Sequence, residues 1–157
     1  MASEIEIVKA SIYDWDSVID LAWRTFLKFE AAEYGAEGIK SFRDFLAAPM
    51  LKRMFILGDY VVFAAKDGEK YAGMISLRNK KHISLLFVEE AYHRKGIGRK
   101  LILEAEKYIR SEYGEEAMTV NAAPYAVEFY HKLQFVDVAP QLSAEGITYT
   151  PMERVFG

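Results

Sequence analysis

The stretch Leu85 to Leu103 reads L-L-F-V-E-E-A-Y-H-R-K-G-I-G-R-K-L-I-L, and its reading decides the fold. The apolar run Ile83 to Val88 predicts a buried strand. Glu89 to Lys95 predicts a turn that ends in His93, Arg94 and Lys95. Gly96-Ile97-Gly98 then opens a segment with Ile97, Leu101, Ala105, Tyr108 and Ile109 on one helical face. A strand, a glycine-bearing basic loop and a helix start together make an anion site. Glycine lets backbone come close to a ligand because no Cβ intervenes. The first N–H groups of a helix have no intrahelical acceptor and carry the positive end of the dipole. Arg94, Lys95, Arg99 and Lys100 add mobile positive charge.

Other phosphate-binding loops fit less well. A Walker loop needs G-x-x-x-x-G-K-[S/T], which this chain lacks. The dinucleotide fingerprint needs G-x-G-x-x-G; Gly96 and Gly98 fit, but Leu101 stands at the third glycine. That fingerprint also usually follows the first strand of its domain, and here several elements precede it. Taken alone, G-x-G is equally consistent with a tight strand-to-helix connection bearing a solvated basic face.

More of the stretch resembles the pyrophosphate loop of the GCN5-related N-acetyltransferase superfamily, Gln/Arg-x-x-Gly-x-Gly/Ala. Gly96 and Gly98 match its glycines, and His93 stands where the family usually has Gln or Arg. The segment V-N-A-A-P-Y-A-V-E-F-Y-H-K-L-Q-F, 120–135, resembles a second signature of that superfamily, N-x-x-P-x-A-x-x-F-Y-x-K-L-G-F. Asn121, Pro124, Ala126, Phe129, Tyr130, Lys132, Leu133 and Phe135 match it, while Gln134 replaces its glycine. The final stretch G-I-T-Y-T-P-M-E, 146–153, is similar to the closing strand of many members.

Bulk properties agree with a globular chain. A length of 157 residues predicts one domain, since domains run about 100–200 residues. Hydrophobic content of 52% is far above that of disordered chains. The net charge of −3 gives no bulk attraction to nucleic acid or to an anionic membrane, so the basic cluster at 93–100 is local. With no cysteine, disulfides, thiolate metal sites and a cysteine nucleophile are excluded, as suits a reducing cytoplasm. Three scattered histidines without ligand spacing predict no metal site. The opening M-A-S-E-I-E-I-V-K lacks the apolar core of a signal peptide, and no run is long enough to span a membrane.

The remaining elements follow from local pattern. Glu4 to Lys9 predicts a first strand, and Asp14 the cap of a helix bearing Trp15, Val18, Ile19, Ala22, Phe26 and Phe29. Ile39, Phe42, Phe45 and Leu46 predict a second helix, ended near Pro49; Met50 to Gly58 is ambiguous. Tyr60 to Ala65 and Tyr71 to Leu77 read as strands joined at Asp67-Gly68. Asn79-Lys80-Lys81 turns the chain into strand 82–88, and Gly114 ends the next helix. Met118 to Asn121 is a short strand, Pro124 suits a helix start, and Phe135 to Val138 and Ile147 to Val155 close the sheet. The order β-α-α-β-β-β-α-β-α-β-β predicts an α/β (α+β) fold. Its central sheet is mixed and mostly antiparallel, about seven strands flanked by about four helices. The resemblance implies the acyl-CoA N-acyltransferase fold, whose central parallel strands splay apart to admit the cofactor.

The resemblance also implies site residues. Acetyl-CoA, as cosubstrate, would contact Leu86, Phe87, Val88, His93, Arg94, Lys95, Gly96, Ile97, Gly98, Arg99, Asn121 and Tyr130. Backbone of Leu86 and Val88 would pair with pantetheine, and the Leu86 N–H would polarise the thioester carbonyl. Tyr130, a phenol with a pKa of about 10, would protonate the departing thiolate. From spacing alone Tyr130 reads as core aromatic. A base is also needed, since an amine is mostly protonated at neutral pH. His82, six residues before Val88, stands where histone-acetylating members carry Glu, and an imidazole pKa of about 6.5 suits the task. A solvent-facing strand-end histidine is the equal alternative. Glu89 and Glu90 could act through water. Glu30, Glu33 and Glu37 could line the acceptor side, or form a solvated acidic face. His131 is expected to be exposed beside Tyr130.

The implied function is acetyl transfer to a primary amine, a small molecule or peptide, by direct attack in a ternary complex. The resemblance allows a homodimer. A non-catalytic acyl-CoA-binding sensor of the same fold is the alternative, and a nucleotide-binding protein of another fold is the third.

Overall fold

The computed structural model describes residues 4–157; Met1, Ala2 and Ser3, where the N-terminal reading begins, lie outside them. The chain runs β1 (Glu6–Lys9), α1 (Trp15–Phe29), α2 (Ala36–Ala47), α3 (Pro49–Leu57), β2 (Tyr60–Asp67), β3 (Lys70–Arg78) and β4 (His82–Val88). It continues with α4 (Ile97–Tyr113), β5 (Ala117–Ala122), α5 (Val127–Lys132), β6 (Val136–Asp137), β7 (Leu142–Ala144) and β8 (Ile147–Val155). The strands form one sheet in the order β1-β2-β3-β4-β5-β8-β6, with β7 paired to β8. Only β4 and β5 run parallel; every other described pair is antiparallel.

This is the expected mixed sheet with two additions, α3 and β7. Pro49 does not end α2 so much as begin α3: its missing N–H is harmless in the first turn, and Gly58 at φ +87 closes the helix. Strand β7 is three exposed residues, too short for alternation to show. One expected detail differs. Asp14 does not cap α1; its carboxylate accepts from the Ser11 N–H at 2.8 Å and the Tyr71 hydroxyl at 2.5 Å, closing the preceding 3-10 turn instead.

Apolar residues fill both faces of the sheet. Ile97, Leu101, Ile102, Ala105 and Ile109 of α4 pack with Val61, Phe63 and Ile75 on one face. Trp15, Val18, Leu21 and Phe26 of α1 and Phe42 and Leu46 of α2 pack with Val62, Ala64, Met74, Leu85 and Phe87 on the other.

One irregularity shapes the site. Across β3–β4, Leu77 pairs with Ile83 but Ser76 pairs with Leu85, so Ser84 is an extra residue, a β-bulge. It reverses the alternation: Ile83 packs on the α4 face, whereas Leu85 and Phe87 pack on the α1–α2 face. It also ends the parallel pairing. His82 pairs with Thr119 and Ile83 with Val120, and no later residue of β4 pairs with β5. From Ser84 onward the two strands part.

Candidate active site

The gap between β4 and β5 is flanked by two cavities. One, of about 580 Å³, lies on the side of the loop before α4; the other, of about 440 Å³, lies under α1, α2 and the β7–β8 hairpin. Glu30, Leu86, Phe87, Ala126 and Tyr130 line both, so the cavities meet at the splayed edge of β4.

The larger cavity carries the anion cradle. Arg94 (φ +63) and Gly96 (φ +76) are both left-handed, the loop geometry that turns successive N–H groups toward one point. The first backbone bond of α4 runs from the Lys100 N–H to the Gly96 carbonyl at 3.0 Å. The N–H groups of Ile97, Gly98 and Arg99 precede it and have no acceptor within the helix. A Cβ at Gly96 would meet nothing within 4 Å, so the space over it is open to a ligand. Gly98 is different: a Cβ there would come 2.9 Å from Phe129 Cζ, and the missing side chain lets α5 pack on the start of α4. His93 reaches back and donates from Nε2 to the Val88 carbonyl at 2.8 Å, with its ring 4.9 Å from that of Phe29. It therefore braces the loop against the strand. The Val88 carbonyl, part of the backbone expected to pair with pantetheine, already accepts this bond. Lys95 lines neither cavity; its ammonium lies 5.5 Å from the centre of the Tyr92 ring.

Tyr130 is held at the junction by the end of α5. The Phe135 N–H bonds the Tyr130 carbonyl at 3.1 Å and the Gln134 N–H bonds the His131 carbonyl at 3.0 Å. These two bonds are a Schellman stop, and the Phe135 ring, 5.1 Å from that of Tyr130, supplies its apolar contact. Gln134 takes the left-handed conformation, φ +69, that the usual glycine would take, so the turn persists despite the substitution. Tyr130 is buried, and burial together with the nearby Glu30 carboxylate raises its pKa above the ordinary phenol value.

Glu30 is the residue that sequence reasoning undervalued. It follows the last turn of α1, part-buried at the junction, and burial with the neighbouring Glu33 charge pushes its pKa up to about 7. Nothing in a run of glutamates says which one turns inward. Glu33 is exposed and accepts from the Tyr125 N–H at 3.2 Å; Glu37 is exposed and lines neither cavity.

The base candidates read from the sequence are placed differently from one another. Glu89 is ion-paired to Arg24, and Glu90 to Lys28 at 2.6 Å, so both clamp α1 to the loop and line neither cavity of the gap. His82 does line the smaller cavity, with Nδ1 2.8 Å from Thr119 Oγ1. Burial and the nearby Arg78 charge push its pKa down to about 4, below the near-neutral value that suited it as base. Asn121, expected on the cofactor, lines the smaller cavity and not the larger. His131 is bonded to Asp137 at 2.7 Å and lines neither.

The comparisons agree with this geometry. Residues 30–156 match the family model described as an acetyltransferase (GNAT) domain. A GCN5-related N-acetyltransferase from Rhodopseudomonas palustris superposes with a TM-score of 0.83 at 21% identity, covering 99% of each chain. The PaiA N-acetyltransferase from Thermoplasma acidophilum, solved with coenzyme A, superposes with a TM-score of 0.81 at 25% identity, covering 98% of this chain and 99% of its own. A spermidine N-acetyltransferase from Vibrio cholerae shares the fold at a TM-score of 0.66 and 14% identity, covering 96% of this chain and 93% of its own. No curated protein sequence matches. A splayed parallel pair, a glycine cradle at its mouth and a family match across most of the length identify the chain as a member of the GNAT acetyltransferase family.

Proposed function

We propose that the protein transfers an acetyl group from acetyl-CoA to a primary amine by direct attack in a ternary complex. The observation that carries this is the meeting of two cavities at Leu86 and Tyr130 in the gap between β4 and β5. One cavity has a built anion cradle, which fits the pyrophosphate of coenzyme A; the other is left for the acceptor. Relatives whose names specify spermidine and aminoglycoside acceptors make an amine the natural second substrate.

In this reading the N–H groups from Arg94 to Arg99 hold the pyrophosphate, and the unpaired edge of β4 around Leu86 pairs with pantetheine and polarises the thioester carbonyl. Glu30 takes the proton from the acceptor ammonium, a task that suits a carboxyl titrating near neutrality. The amine attacks, the C–N bond forms and the C–S bond breaks. Tyr130 gives its proton to the departing thiolate and takes back the surplus proton of the new amide nitrogen; its raised pKa keeps the phenol protonated until the thiolate departs. His82 is neutral at pH 7 and serves as a polar wall of the acceptor cavity.

Calorimetric titration with acetyl-CoA, beside NAD and ATP, tests the cofactor, and a panel of amines with thiol detection tests turnover. Selective acetyl-CoA binding that is lost in Gly96→Glu, followed by thiol release, is expected. Binding without turnover across the panel would assign the chain to the non-catalytic sensor reading, and preference for NAD or ATP would overturn both.

A further inference from the structure

We infer that the acceptor carries a carboxylate as well as an amine, and that Arg78 holds the carboxylate; this rests on the acetyl-transfer reading above. Arg78 is the last residue of β3 and pairs across the hairpin with His82, so the two side chains share a face. Both line the acceptor cavity. Arg78 is exposed and, like Arg43, Arg53, Arg94 and Arg99, has no carboxylate partner among the described residues; of these only Arg78 lines the acceptor cavity. Glu145, which also lines this cavity, does not pair with it either. A guanidinium with five donors and no anion on a cavity wall is matched to a carboxylate, which it can take in two parallel bonds. His82, uncharged at neutral pH, does not compete for the anion.

The amine end is set by the chemistry. Glu30 lies where the acceptor cavity meets the cofactor cavity, and Leu86 lies beside the same junction. Four residues of strand separate His82 from Leu86, about 13 Å at ~3.3 Å per residue. A free α-amino acid carries both ionic groups on one carbon and cannot reach from one end to the other. A peptide of about four residues can, at ~3.3–3.6 Å per residue. Between the ends the wall is aromatic: Phe26 and Phe42 are 4.1 Å apart and Phe42 and Phe87 5.9 Å apart, centre to centre. The occupant is therefore a short acceptor with a free amine, an apolar middle and a free carboxylate, a short peptide or a long ω-amino acid. A polyamine would set a second ammonium against Arg78.

Steady-state acetylation decides it, with the tetrapeptide alanyl-phenylalanyl-alanyl-alanine, its C-terminal amide, 11-aminoundecanoate and spermidine as acceptors. The free acid should exceed the amide by about tenfold in kcat/KM, through KM, as for loss of a charge-assisted hydrogen bond. The ratio should fall toward one in Arg78→Gln and be partly retained in Arg78→Lys. A better rate with 11-aminoundecanoate than with the tetrapeptide assigns the ω-amino acid and sustains the inference. Equal rates for acid and amide, a ratio that survives Arg78→Gln, or spermidine as the best acceptor overturns it. Acetyl-CoA binding is measured on the same samples. Binding and turnover without carboxylate preference overturn this inference alone, whereas absent acetyl-CoA binding overturns the acetyl-transfer reading and this inference with it.

Discussion

The buried Tyr60 hydroxyl donates to Ser84 Oγ at 2.9 Å and so pins the bulge that parts β4 from β5. The same hydroxyl lies 2.7 Å from Ser76 Oγ, so one phenol ties the bulged strand to its neighbour. Tyr60→Phe leaves the buried Ser76 hydroxyl and the part-buried Ser84 hydroxyl without this partner, a loss of about 1–3 kcal/mol. The expected result is a lower denaturant midpoint together with weaker acetyl-CoA binding in calorimetry. Loss of stability with wild-type affinity would show that the bulge stands without Tyr60.

Glu30 should set the pH profile. Below about pH 7 it holds its proton and cannot accept another, so kcat/KM should rise as pH passes through that value. Glu30→Gln should abolish that limb and lower turnover by about 10²-fold or more, the ordinary worth of a base. His82→Ala should keep the limb, because His82 titrates near 4. Stability changes in the opposite sense. The folded state raises the Glu30 pKa from 4.5 to about 7. The group's contribution is therefore complete below pH 4.5 and is lost as pH rises through about 7. Glu30→Gln should thus be more stable than wild type at pH 8, on the order of 2 kcal/mol, and little different at pH 4. Denaturant unfolding at the two pH values checks this.

Tyr130→Phe keeps the ring that packs against Phe129 and Phe135 and removes only the hydroxyl. Acetyl-CoA affinity should change little while kcat falls by about 10²-fold, as for loss of a general acid. Single-turnover measurement with a good amine separates the two effects. An unchanged rate would leave Tyr130 a packing residue.

Gln134 occupies a left-handed position that costs an L-residue about 1–2 kcal/mol. Gln134→Gly should raise stability by about 1 kcal/mol, less the added freedom of glycine in the unfolded chain. The Schellman bonds around it are backbone bonds, so acetyl-CoA affinity should not move. Thermal and denaturant melts with parallel calorimetry check both halves.

Much was legible in local pattern. The run Ile83–Val88, the glycines at 96 and 98 and the apolar stripe of α4 are short-range signals, and strand, loop and helix stand where they predicted. The motif at 120–135 likewise placed Tyr130 on a short helix just before a turn. Helix α3 was legible in principle, since Pro49 and Gly58 bracket it, but Pro49 reads equally as the end of α2.

What the sequence determined by itself was the order of elements other than α3 and β7, because periodicity and turn chemistry act between residues a few positions apart. What only the tertiary structure decided was which charges face the gap. Two glutamates offered themselves as base and three as a lining of the acceptor side, and folding ion-paired Glu89 and Glu90 to α1, left Glu33 and Glu37 exposed and enclosed Glu30. The same packing lowered the His82 pKa and brought Arg78 to the wall of the smaller cavity, where among the described residues no carboxylate pairs with it. Burial and charge pairing depend on elements far apart in the chain, α1 against β4 and α5 against α4, and no local pattern encodes which side chains those contacts will enclose.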